Sequence, residues 1–470
     1  MIPKPLFPNS WPHPGPTGLK KNWAPNLQLF ISSKEGGLMS KKRYKVLMIL
    51  GVIGLIIGSW GMGSRLIFGH TAVNYGSYVP WGLWVVFYLF FVGLTAGAFL
   101  ITIMTYMFRV ERLKPIGRLS AFTVLVALVC ELIFISLDLG HMERLYRFLI
   151  TPNFTSMMTW FVVFTTLMLI IYLLESFFLL REDLIRLSQA EQVKAKKIYH
   201  LLALGKTGYT EADRERDKTR VRRLSIISLP AGLLFYGTNG AFFAILQNRP
   251  IWNSAMTPLL FIVAALLSGG ALITALIYVF HEDEELVKPM GQVILYLLAI
   301  FLLLEVLLFF VGYQSKVTGI VTSLNLIVFG RQWWTFWIIH LFFGTLIPLI
   351  LLIKYGDAPR AVAWACFLIV VTFVTVRFNF LIPDLAIYKL DGLEYTFFHR
   401  RLRTHYIPSL VEWLVSLWII SFGLIAFLAG SRWLPIHSSA KEEGKQGPTT
   451  WFNILNSISP DSEKGEKEHA

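Results

Sequence analysis

Apolar residues fill long, almost uninterrupted stretches of this chain, and short polar or basic segments separate them. Read with a window of about 20 residues, these stretches predict ten membrane-spanning helices. The predicted spans are Lys45–Phe68, Pro80–Phe108, Ile116–Leu137, Ser156–Leu180, Leu224–Leu246, Thr257–Phe280, Pro289–Gly312, Trp334–Ile353, Ala361–Phe380 and Pro408–Gly430. The predicted fold class is therefore an all-α integral membrane protein.

Composition and charge support this class. Of 470 residues, 55% are hydrophobic and only 15% are charged, which excludes an ordinary soluble domain. In other protein classes, a formal net charge as high as +14 can indicate nucleic-acid binding. Here, however, the basic residues stand in short segments beside the apolar stretches, where they orient the protein and contact lipid phosphates. We therefore expect membrane lipids, and no nucleic acid, as partners.

The basic segments also predict the orientation of the chain. Threading ten spans in alternation places KKRYK (41–45), RVERLK (109–114), the loop 181–223 and KYGDAPR (354–360) on one side. Because basic loops stay in the cytoplasm, we expect a multi-pass protein of the bacterial cytoplasmic (inner) membrane with both termini inside.

The ends of the chain differ in composition from its middle. Residues 1–40 are rich in proline and predict a disordered tail, or a start codon assigned too early, since Met39 is followed by a normal opening sequence. Residues 431–470 are polar and are also expected to be disordered. The segment 181–223 is interpreted as a basic cytoplasmic loop.

An internal repeat indicates how the helices are grouped. TAGAFLIT (95–102) in the second span is echoed by SGGALIT (268–274) in the sixth, and Glu131 one span later is matched by Glu305. Thr159 and Thr335 follow at comparable distances. Three matches in register predict two four-helix bundles, 41–180 and 224–355, with two further helices in 356–430.

Few residues are available to hold a metal cofactor. The two cysteines, Cys130 and Cys366, are far apart and lie inside apolar stretches, and His340 is the one histidine deep within a predicted span. An iron–sulfur cluster needs about four thiolates and a membrane haem needs axial ligands. We expect no metal, no haem and no iron–sulfur cluster in this chain, so its electrons must reside on a mobile lipid or on a partner.

Acidic side chains inside the membrane are the first chemical signal. Glu131, Glu175 and Glu305 lie among apolar neighbours, where a charge is costly and therefore suggests function. They either carry protons or join helices as hydrogen-bonded glutamates, and Glu175 has the further option of pairing with Arg181. His340 is interpreted as a proton relay or a hydrogen-bonded core residue.

A second cluster of polar residues closes the third span. Asp138 follows Glu131 by seven residues, so the two share a helix face about 10 Å apart along the axis. His141 comes next, and an imidazole suits a group that hydrogen-bonds a quinone and exchanges its proton. The alternative is a helix end shaped by Gly140 and an ion pair between Asp138 and an arginine.

Two segments resemble a known family. DLGHMERLYRFLITPNFTSMMTW (138–160) and VPWGLWVVFYLFFVGLTAGAF (79–99) are similar to NrfD-type subunits, the polysulfide reductase membrane-subunit family. The similarity continues through 237–261 and 390–414, and spans about Lys41 to Gly430. It points to the ten-helix branch found in hydrogenase-2-type, alternative complex III and quinone reductase complexes.

The resemblance implies a haem-free respiratory subunit that binds menaquinone or ubiquinone in the first bundle, near the outer face. Its implied partners are a ferredoxin-like iron–sulfur subunit and a catalytic subunit of molybdopterin, nickel–iron or multihaem type, without which it would not be catalytic. The implied reaction is Q + 2e⁻ + 2H⁺ ⇌ QH₂, with proton translocation past Glu131 as an option. The implied catalytic groups are His141, Asp138 and Glu131. The residues expected to line or support the quinone site are Trp81, Arg144, Asn153 and Tyr75.

Two other functions also fit the sequence. Repeats, small-residue helices and buried acids also suit a secondary transporter, whose site should lie at the membrane midplane between broken helices. A passive membrane anchor without quinone chemistry is the other alternative.

Overall fold

The computed structural model describes residues 41–436 except 191–192, 194, 281–283, 389–391, 397–398 and 400–401. The predicted tail 1–40, and residues 437–470 of the predicted tail 431–470, lie outside these described residues.

Ten helices in the described part of the chain are long and apolar enough to cross a membrane, which confirms the predicted fold class. They are α1 Lys41–Phe68, α2 Leu83–Thr102, α3 Lys114–Asp138, α4 Met157–Gln189, α5 Glu211–Ala244, α6 Met256–Phe280, α7 Glu284–Gln314, α8 Thr335–Tyr355, α9 Pro359–Leu385 and α10 Leu410–Trp433. The first part of α8, Thr335–Leu346, is π-helical.

Helices α4 and α5 extend well beyond the apolar spans, into the predicted loop 181–223. A hydropathy window detects only the part of a helix that lies in lipid, and these polar extensions are held together by ion pairs instead. Arg118 Nη1 lies 2.6 Å from Asp183 Oδ2, and Arg214 Nε donates to Glu182 Oε2 at 3.0 Å. A capping box between Thr210 and Asp213 starts α5. The basic segment is thus largely helical.

The seam between the two halves is formed by the repeated small residues. Helices α2 and α6 pack against each other so closely that a Cβ atom on Gly97 would lie 2.0 Å from the carbonyl carbon of Gly269. A Cβ on Gly269 would in turn lie 2.4 Å from Gly97 N. Backbone contact at this distance is possible only for glycine. The two echoed sequence segments therefore face each other at the centre of the molecule.

The first and last helices form a peripheral pair, which differs from the grouping predicted from chain order. α1 makes its main contacts with α10, and a Cβ on Gly58 would lie 2.7 Å from Leu414 O. The guanidinium of Arg432 lies 5.2 Å from the ring centre of Tyr44, so both described ends are on one face. α9 packs on α2, α6 and α8 and is part of the second half. The contacts thus group α2–α5 and α6–α9.

Candidate functional site

A buried carboxyl group ends α3 and binds the loop between α1 and α2. The Tyr75 hydroxyl donates a hydrogen bond of 2.8 Å to Asp138 Oδ1, and Asp138 itself is buried. Burial, together with the neighbouring Asp138 carboxyl, holds the pKa of the Tyr75 phenol well above its ordinary value. Tyr75 therefore remains a hydrogen-bond donor at any physiological pH.

Arg65, from α1, joins this group. Its Nε donates to Leu137 O and its Nη2 to Leu139 O, each at 2.8 Å. These bonds satisfy backbone carbonyls that the end of α3 leaves without helical partners. The guanidinium also lies 5.6 Å from the ring centre of Trp84. A permanent positive charge is thereby fixed beside Asp138.

His70 is the imidazole that the fold brings to the same place. Its ring meets the Tyr75 ring edge-on with centroids 5.4 Å apart. Its Nε2 is buried and has no hydrogen-bond partner among the described residues. A buried ring nitrogen without a partner is costly in a protein alone and suits a site that receives a polar ligand atom.

The start of α10 closes the site from another side. Glu412 forms a capping box with Ser409 and accepts a hydrogen bond from the Tyr406 hydroxyl. The same hydroxyl accepts from Leu83 N at 2.7 Å, which ties down the start of α2. Burial and the Glu412 charge hold the pKa of Tyr406 well above its ordinary value. Gly82 is needed here, because a Cβ would lie 2.3 Å from the Tyr406 hydroxyl.

An apolar groove lies along the partly exposed face of α3. Its volume is about 280 Å³, and it is lined by Val129, Leu132, Ile133, Ser136 and Leu137. These residues form one face of the helix, at spacings of three and four. The groove, called the α3 groove below, includes Leu137, whose carbonyl accepts from Arg65 Nε, whereas Asp138 and Glu131 project from the opposite side of the helix.

Of the outer residues predicted from sequence, the structure joins Asp138 and Tyr75 directly. The His141 side chain is 64% exposed and bonds Glu143 at 2.8 Å. Arg144 and Asn153 are also exposed, and Asn153 Oδ1 accepts from Thr155 N in a local turn. Trp81 stacks on Trp252, with ring centroids 6.3 Å apart, towards α5 and α6. The roles predicted for these four residues remain predictions.

The three membrane glutamates have different surroundings. Neither carboxyl oxygen of Glu131, which is fully buried, has a hydrogen-bond partner among the described residues. Glu175 accepts from Ser225 Oγ at 3.2 Å, and Arg181 pairs with Asp217 instead of Glu175.

Glu305 has a closer partner. Its Oε2 lies 3.0 Å from His340 Nε2, within the π-helical part of α8. π-Helical turns are frequent at functional sites.

Sequence reasoning missed Arg65, His70, Tyr406 and Glu412. Arg65 and Glu412 lie inside predicted spans, so the rule that identified Glu131 also applies to them. His70 and Tyr406 lie just outside the spans and have no comparable signal.

The described residues contain no group of three or more His, Cys, Asp or Glu side chains placed to hold a metal ion. Cys130 and Cys366 are both buried free thiols.

Comparison with known proteins gives a consistent set of matches. The family model for polysulphide reductase, NrfD, matches residues 72–388. A selenate reductase subunit of Mesobacillus selenatarsenatis is 29% identical over 414 residues, covering 86% of this chain and 96% of the relative.

Two further relatives carry names that mention menaquinone chemistry. The Hdr-like menaquinol oxidoreductase integral membrane subunit of Archaeoglobus fulgidus is 25% identical, over 75% of this chain and 84% of its own. The menaquinone reductase integral membrane subunit of Nitratidesulfovibrio vulgaris is 22% identical, over 85% and 93%.

Proposed function

This chain belongs to the NrfD polysulphide reductase family, and we propose that it is the quinone-reactive membrane subunit of a respiratory oxidoreductase complex. Relatives named as integral membrane subunits of menaquinone or menaquinol oxidoreductases support this assignment. In the proposal, the chain exchanges electrons with an iron–sulfur subunit and carries no haem or cluster itself. A catalytic subunit completes the complex.

The observation that carries the proposal is the buried polar cluster at the end of α3, which adjoins the apolar α3 groove at Leu137. A quinone has a long apolar tail and a head with two carbonyl oxygens, so its site needs an apolar path and a few convergent polar groups. In the proposal the tail lies in the α3 groove, and the head reaches past Leu137 to the cluster. Asp138, Tyr75, His70 and Arg65 supply the polar groups there.

Each polar group then has a defined role. Quinone, when bound, supplies two-electron, two-proton redox chemistry. The free Nε2 of His70 hydrogen-bonds a head-group oxygen and exchanges a proton with it. Asp138 holds the second proton, and the Tyr75 hydroxyl fixes its orientation. Arg65 keeps a positive charge beside the carboxyl group.

Protons would reach this site along α3. Glu131 precedes Asp138 by seven residues on nearly the same helix face, about 10 Å away along the axis. In the proposal it passes protons to Asp138, while Glu175 on the basic side and the Glu305–His340 pair in the second half provide further proton-carrying groups. Translocation coupled to quinone chemistry would follow from this arrangement.

The proposed orientation places both described ends in the cytoplasm and the site at the outer face, where a ferredoxin-like subunit would dock. A reporter fused after Arg220 should be cytoplasmic, and one inserted near Gln314 should be external, because basic segments remain inside. External labelling at Arg220 would place the site at the inner face instead.

Variants of the site test the function. Asp138→Asn and His70→Ala should each reduce quinone-dependent turnover at least about 100-fold, while the complex assembles and its partner still reacts with artificial dyes. Asp384→Asn is the matched control, because Asp384 is a buried carboxyl near the end of α9, bonded to Ser323 at 3.1 Å. That control should retain turnover.

His141→Ala distinguishes the two candidate imidazoles. If His141→Ala stops turnover and His70→Ala does not, the site is the exposed cluster predicted from sequence and not the buried one. Wild-type quinone kinetics in all three variants, Asp138→Asn, His70→Ala and His141→Ala, would favour a passive anchor. The repeat also suits a transporter, but the oxidoreductase names of the relatives count against that alternative.

A further inference from the structure

Arg377 is a permanent positive charge buried in the middle of α9. The residue is 3% exposed, and its guanidinium lies 4.7 Å from the ring centre of Phe261 and 5.5 Å from that of Phe373. Its Nε has no hydrogen-bond partner in the described part of the chain. Because arginine does not lose its proton in proteins, a charge at this depth requires compensation beyond two aromatic rings.

Arg377 and Glu131 lie at the same depth against α2. A Cβ on Gly93 would lie 3.3 Å from Arg377 Nη2, which fixes the level of the guanidinium. On the other helix, the Phe134 ring lies between those of Phe87 and Phe91, at 5.3 and 5.6 Å. Since α2 and α3 run antiparallel, three residues back from Phe134 moves about 4.5 Å towards the end of α2. That step brings Glu131 to the level of Gly93.

Polar side chains join α2 and α5 near this level. Tyr88 is on α2, five residues before Gly93, and its hydroxyl donates to Asn239 on α5. Tyr236 on α5 forms a hydrogen bond of 2.9 Å with Thr95 Oγ1 on α2. Hydroxyl and amide groups thus make this part of the interior polar.

Glu131 is the buried acid available to balance the charge of Arg377. Every other fully or largely buried carboxyl group of the described spans has a side-chain hydrogen-bond partner. The pairs are Asp138–Tyr75, Glu175–Ser225, Asp217–Arg220, Glu305–His340, Asp384–Ser323 and Glu412–Tyr406. Glu131 alone has both oxygens buried without a partner there.

We propose that Arg377 is the counter-charge of Glu131, held at the same level on the other side of α2. When Glu131 is ionised, its charge and that of Arg377 balance across α2; when Glu131 is protonated, the charge of Arg377 is left uncompensated. The pairing deepens the proposed function. It rests on that function in one respect: proton transfer requires that Glu131 can be ionised. Arg377 is a positioning residue in this sense and does not touch the quinone.

A double-variant cycle on the assembled complex tests the pairing without quinone turnover. Glu131→Gln should lower the thermal midpoint in the presence of Arg377, because it leaves a buried charge without compensation. In an Arg377→Gln background the same change, Glu131→Gln, should have little effect, since the buried guanidinium charge that Glu131 would balance is absent. Arg377→Lys retains the charge, so in that background Glu131→Gln should again lower the midpoint.

The control acid is Glu175, which is buried but bonded to Ser225. Glu175→Gln should change the midpoint equally with and without Arg377. Equal effects of Glu131→Gln in both backgrounds would overturn the pairing. If Arg377→Gln does not assemble alone, recovery of assembly in the double variant supports the pairing, and failure of the double variant as well contradicts it.

Discussion

The two halves of the molecule carry a glutamate at matching places, in α3 and α7, yet the side chains have different surroundings. Glu131 is fully buried with no hydrogen-bond partner among the described residues, whereas Glu305 is partly exposed and bonds His340 at 3.0 Å. α3 is mostly enclosed by other helices, while α7 presents most of its surface outwards. The repeat therefore preserved the acid but not its environment.

The difference indicates separate roles for the two glutamates. A carboxyl group near the lipid surface needs a polar partner in direct contact, and the π-helical turn of α8 supplies His340. A carboxyl group in the enclosed half can instead be stabilised from a distance, and the buried Arg377 provides such a charge. We interpret the first half as the one adapted to proton exchange with the site at Asp138.

The seam between the halves should show the largest effect of any single change. Gly97→Ala places a methyl group 2.0 Å from the backbone of Gly269, where neither helix can yield without moving the whole half. We expect a loss of at least about 3 kcal/mol, observed as little assembled protein in the membrane. Gly237→Ala is the control, because a Cβ there meets nothing within 4 Å. Similar yields for both variants would show that the halves are less tightly joined than the structure indicates.

A smaller and more specific effect should distinguish the two glutamates. Glu131→Gln should reduce quinone-dependent turnover, per assembled complex, at least about tenfold, because glutamine cannot exchange a proton. Glu305→Gln should have a clearly smaller effect, since glutamine can still hydrogen-bond His340 Nε2. Turnover and proton movement are measured on the same vesicles. Equal losses in both variants would mean that the halves share one proton route and that their environments do not separate their roles.

The sequence by itself determined the class, the number of spanning helices and the family. Long apolar stretches must satisfy their backbone groups internally in lipid, so each becomes a helix wherever it packs. The same reasoning identified Glu131 and Asp138, and it applies equally to Arg65, Arg377 and Glu412, which stand within predicted spans. These three were within reach of the sequence.

Only the tertiary structure decided which of these groups meet. Arg65, Asp138 and Glu412 are brought together from α1, α3 and α10 because glycines on α1 let the first and last helices pack closely. His141, although it is three residues from Asp138, bonds Glu143 at the surface. Apolar periodicity selects helices but carries no information on their neighbours, which depend on side-chain shape summed over many contacts. The partners of each buried charge were therefore settled by packing.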